Sequence, residues 1–134
     1  MSEAVRRRLI KTIIKKGTSL AQNDPVMKEL LRENKGESLL FYIADLKAPY
    51  GIEITGTSLR FSDNPDLKNK SYSLVTSCNE DTIIHILRGL DPMDAFFYGL
   101  IEVVGKGWFK KVMILKRIFK LGEQRGLKEK VVST

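Results

Sequence analysis

With 134 residues, 43% hydrophobic and 29% charged, the chain is long enough for one domain with its own core and too apolar for disorder. One cysteine, Cys78, rules out an intrachain disulfide. The start is not signal-like and no run reaches the roughly 18 apolar residues of a membrane span, so a soluble, cytoplasmic protein is expected. The net charge of +7 is unevenly spread: residues 1–35 carry +5, residues 36–104 carry −5 and residues 105–134 carry +7.

In chain order, Ser2 to Lys16 (SEAVRRRLIKTIIKK) has helical spacing. Val5, Leu9, Ile10, Ile13 and Ile14 fall on one side and the basic residues on the other, with Gly17 as the expected stop. Asp24 and Pro25 start a second short helix, VMKELLREN, ending near Gly36. From Glu37 the period changes to two. ESLLFYIADL is apolar on both faces, as a central strand would be; YGIEIT and SLRF follow, joined by a turn at Gly56-Thr57, so these three strands form a meander. After the polar loop SDNPDLKNK, SYSLVTSC reads as a fourth strand.

The next helix, TIIHILRG, has two start signals: Asn79 as a direct cap, and Ser77 with Glu80 as a capping box. Gly89 closes it. Asp91, Pro92 and Asp94 then start a helix over DPMDAFFY that Gly99 ends, LIEVV is a fifth strand, and Gly105 and Gly107 break it before the helix WFKKVMILKRIFK. On that last helix Trp108, Val112, Leu115 and Phe119 align, flanked by Phe109, Met113 and Ile118. Strands grouped in a meander with helices before and after imply an α+β domain, with helices covering one face of a single sheet.

The strand beginning FYI, the helix TIIHILRG, the motif GLDPMDAFFYGLIEVVG and the final apolar helix resemble the sterol carrier protein-2 family of lipid-binding domains. Gly89, Asp91, Pro92, Ala95, Phe96, Gly99, Ile101, Val103 and Gly105 occupy the positions of the family pattern. Lys106 stands where an Asp is usual, and Leu100 and Glu102 replace basic strand positions. The resemblance implies one domain over 1–134, with N-terminal helices in 1–35, the core in 37–120 and a tail or short helix in 121–134. It implies a mostly antiparallel five-stranded sheet and, between sheet and helices, a hydrophobic tunnel for a long acyl chain, acyl-CoA, sterol or isoprenoid lipid. Opening is expected to involve the last helix. Wall candidates are Ile84, Leu87, Phe96, Phe97, Ile101, Val103, Trp108, Phe109, Val112, Met113 and Phe119. Any one of them taken alone is more often simple core.

Arg6, Arg7, Arg8, Lys11, Lys110, Lys111, Lys116 and Arg117 are candidates for contact with an anionic membrane, where each cation is worth about 1 kcal/mol. The plainer reading is that they are helix faces partly neutralising the acidic middle of the chain. An alternative of another class is a non-enzymatic module of the same fold whose basic ends bind a protein or nucleic acid. Nucleic acid is disfavoured, because the aromatics near the basic residues sit at core spacing. Leu40, Tyr42 and Leu100 hint at a homodimer through the outer sheet face. Catalysis is not expected: one His and one Cys cannot hold zinc, Cys78 and His85 are too far apart for a nucleophile and base, and no cofactor motif is complete.

Overall fold

The computed structural model describes residues 2–56 and 58–123. The expectations for Thr57 and for 124–134 lie outside that range. The elements are α1 (Glu3–Ala21), α2 (Met27–Glu33), β1 (Ser38–Ile43), a 3-10 turn (Ala44–Leu46), β2 (Ala48–Thr55), β3 (Ser58–Ser62), β4 (Leu74–Cys78), α3 (Glu80–Leu87), α4 (Pro92–Phe97), β5 (Ile101–Val104) and α5 (Trp108–Gly122). The α+β class, the element order and the single five-stranded sheet are as expected.

The sheet order is β3-β2-β1-β4-β5, with β1 in the centre. All neighbouring strands are antiparallel except β1 and β4, which run parallel. The register lines up three rows on one face: Phe61, Ile52, Leu39 and Leu74; Tyr50, Phe41, Thr76 and Val103; Ala48, Ile43, Cys78 and Ile101. Most of these side chains are buried, as expected for the face turned to the helices. On the opposite face, the connection between β3 and β4 lies over β2. There Pro65 touches Gly51, and Lys70 and Arg60 pair with Glu53. Of the three positions expected at a dimer face, Leu40 is only 8% exposed, Tyr42 is half-buried and Leu100 is exposed.

Three local expectations need correction. Gly17 does not stop α1, which continues to Ala21. A Cβ on Gly17 would stand 1.9 Å from the carbonyl oxygen of Ile118, and one on Gly122 would stand 2.0 Å from that of Ile13. These two glycines let α1 and α5 cross with their backbones in contact. The strand ESLLFYIADL ends at Ile43, because Ala44–Leu46 turn into a 3-10 segment that closes on Lys47 in the left-handed region (φ 50°). That segment also supplies the cap of α3. The Asn79 side chain makes no capping hydrogen bond, whereas the Glu80 N–H donates to Asp45 Oδ1 at 2.9 Å.

The joints around α4 form as their sequence dictates. Asp91 Oδ1 accepts from the Met93 N–H at 2.8 Å, and Pro92 fills the first turn. Gly99, at φ 79°, lets its own N–H donate to the Phe96 carbonyl at 3.0 Å and the Leu100 N–H reach the Ala95 carbonyl at 2.9 Å.

Candidate functional site

Where α3, α4 and α5 face the inner side of β1, β4 and β5, the packing leaves a cavity of about 30 Å³. Phe41, Thr76, Ile101 and Val103 form the sheet side of its wall. Ile86 comes from α3, Pro92 and Phe96 from α4, and Val112, Leu115, Lys116 and Phe119 from α5. The lining residues are apolar except for Thr76 and Lys116. A solvent-open groove of about 310 Å³ between the α3–α4 turn and α5 shares Ile86, Pro92, Lys116 and Phe119 with the cavity. At their junction Lys116 Nζ donates to Asp91 Oδ2 at 2.8 Å. The cavity has room for about one or two water molecules, so a lipid chain fits only when its walls separate.

Of the wall candidates, Phe96, Ile101, Val103, Val112 and Phe119 line the cavity. Leu87 is fully buried elsewhere in the core, and Ile84 and Met113 are half-buried outside the lining. Phe97 and Phe109 point to solvent, at 72% and 56% exposed. Trp108 stands one shell back, its ring centroid 4.7 Å from that of Phe96 and 5.9 Å from that of Phe109. Phe41, Thr76, Ile86, Pro92, Leu115 and Lys116 complete the wall. Phe41 belongs to the strand ESLLFYIADL, which the sequence marked as central and apolar on both faces. Thr76 carried no signal beyond its place in a strand.

Most of the basic candidates are occupied. Arg6 pairs with Glu80 at 3.1 Å, Lys11 with Asp63 at 2.5 Å, Lys110 with Glu33 at 2.7 Å, Lys111 with Glu37 at 3.2 Å, Lys116 with Asp91, and Arg117 with Asp24. Lys111 is buried as well. Arg7 and Arg8 are exposed and have no carboxylate partner among the described residues. They edge an open cleft of about 300 Å³ between α1 and the start of β2, and Arg7 donates there to the Lys47 carbonyl at 3.2 Å. Six of the eight candidate cations thus pair with carboxylates elsewhere in the fold.

Elsewhere, Cys78 is buried and its thiol is pushed up to about 12, by burial first and by the Asp45 carboxylate second. Such a thiol is not a nucleophile near neutral pH. His85 is exposed on α3. Among the described residues no group of three or more His, Cys, Asp or Glu side chains is placed to hold a metal, and no helix is long and apolar enough to cross a membrane.

No protein-family model matches the sequence, and no curated protein matches it. Solved structures do match in fold. The sterol carrier protein domain 2 of Helicoverpa armigera superposes with a TM-score of 0.59 at 17% identity, covering 80% of this chain and 85% of that one. A UbiJ-SCP2 ubiquinone synthesis protein gives 0.54 at 11% identity, over 78% and 84% of the two chains. The sec-alkylsulfatase Pisa1 from Pseudomonas sp. gives 0.50 at 18% identity; there the match covers 66% of this chain but spans only 13% of the sulfatase. The chain has the sterol carrier protein-2 fold, which the sequence motifs around Asp91 to Gly105 had indicated.

Proposed function

We propose that this protein binds lipids non-catalytically, holding one long apolar chain (an acyl chain, acyl-CoA, sterol or isoprenoid) between α4, α5 and the sheet. The observation that carries this reading is the nearly uninterrupted apolar wall of the cavity and its continuation into an open groove past Pro92 and Lys116. Each methylene moved from water into such a wall is worth about 0.8 kcal/mol, so a palmitoyl chain gains about 12 kcal/mol gross against the cost of opening and ordering. No catalytic group is required for that.

Opening falls to α4 more than to α5. Only Ala95 of the six residues of α4 is buried, while α5 is locked to α1 at the Gly17 and Gly122 crossing. A segment with so few buried side chains separates at low cost. The Lys116–Asp91 pair ties the start of α4 to α5 and acts as the latch. Docking on an anionic membrane, in this reading, rests on Arg7 and Arg8, because the other candidate cations are already paired.

Trp108 provides the test. It packs on Phe96, which both lines the cavity and belongs to the moving helix. Palmitate is expected to shift Trp108 emission saturably and octanoate to do so far more weakly, since the gain scales with the number of buried methylenes. A folded protein whose emission ignores both acids, or answers both alike, contradicts the reading.

A further inference from the structure

Thr76 breaks the pattern of the surface it occupies. Its partners across the sheet are Phe41 on β1 and Val103 on β5, both of which line the cavity with it. Thr76 is 4% exposed, and its Oγ1 is buried without a hydrogen-bond partner. Valine has the same shape and would fill the same volume without placing a hydroxyl among hydrocarbon groups. A buried hydroxyl left unpaired is unfavourable, so one on a residue that lines a cavity calls for a partner that reaches it when the walls separate. The other polar lining group, Lys116, is held by Asp91 at the groove. No other charged residue lines the wall, so a carboxylate beside Thr76 would be buried with no cation free to face it. A neutral oxygen meets no such penalty.

We propose that the Thr76 hydroxyl hydrogen-bonds a neutral oxygen, an alcohol or a carbonyl, at the buried end of the ligand. The protein then favours oxygenated neutral lipids over hydrocarbons of the same length, and a neutral ligand of this kind goes in with its oxygen leading. This inference rests on the cavity being the lipid site, and the test separates the two. Wild type, Thr76→Val and Thr76→Ser are titrated with 1-dodecanol and with dodecane delivered from cyclodextrin, read by Trp108 emission, with folding checked by thermal melting.

Wild type is expected to bind dodecanol about tenfold more tightly than Thr76→Val does, the scale of one lost buried hydrogen bond. Dodecane should bind both equally, and Thr76→Ser should keep the preference for the alcohol. Thr76→Val should melt no lower than wild type, because the group it removes has no partner in the unliganded fold. Equal dodecanol affinity in wild type and Thr76→Val overturns the inference while leaving the cavity reading intact; the hydroxyl would then serve only the fold or an internal water. Uptake of neither probe by folded wild type removes the cavity reading and this inference with it.

Discussion

Asp24 sits just after α1, buried, with the Arg117 guanidinium of α5 upon its carboxylate and the Val26 N–H donating to it at 3.3 Å. The hydrogen bond from Arg117 is the main influence holding the Asp24 carboxyl below its ordinary value of 3.8; burial opposes it, and the Val26 bond assists. Because the folded state lowers this pKa, the pair contributes stability that is fully present above 3.8 and lost as the pH falls through the lowered value. Arg117→Met should therefore lower stability at pH 7 by about 2 kcal/mol, read as a drop in urea midpoint, since it strands a buried carboxylate. The deficit should shrink in acid as Asp24 protonates. Equal midpoints at pH 7, or a deficit independent of pH, would contradict this role. The segregation of charge was legible in the sequence. The choice of partners was not, because Asp24 and Arg117 lie 93 residues apart and only the crossing of α1 and α5 brings them together. Thr76 was hidden for a related reason: a threonine in a strand is ordinary, and only the register between Phe41 and Val103 shows that it stands in the cavity wall with its hydroxyl unpaired.

Among the elements, those set by near neighbours in sequence were legible. Asp91, Pro92 and Gly99 delimit α4 because capping and left-handed turns act within a few residues. Gly17 was misread because a glycine in a helical pattern has two explanations, a stop or a close approach, and sequence alone does not separate them. The crossing at Gly122 decides for close approach. It also reverses the usual effect of replacing a helical glycine. Gly17→Ala would favour an isolated helix by about 1 kcal/mol, yet its methyl collides with the Ile118 carbonyl. Overpacking of this kind costs about 1–3 kcal/mol or more, and the offending atom is backbone, so a clear net loss and a lower Tm are expected in thermal melting. An unchanged or raised Tm would mean that the helices do not cross there. The parallel pairing of β1 with β4 and the capping of α3 by Asp45 were likewise beyond local signals, since each joins residues 35 apart in sequence.

At the scale of the molecule, four acidic groups of the middle segment pair with cations of α1 and α5. Glu80 and Asp63 pair with α1, and Glu37 and Asp91 with α5, which leaves Arg7 and Arg8 as the cations without a carboxylate partner among the candidates. The same assembly divides the helices by how they are held: α1 and α5 form a backbone-tight pair, and short α4 closes the cavity with Pro92 and Phe96. The central claim is that α4 yields and one lipid chain takes the space. Native mass spectrometry of the protein incubated with palmitoyl lipid and then desalted tests it most directly. A single adduct of one lipid per chain, recovered by organic extraction and weakened when the chain is shortened to octanoyl, is the predicted result. A folded protein that stays at its unliganded mass with every chain length would contradict the account.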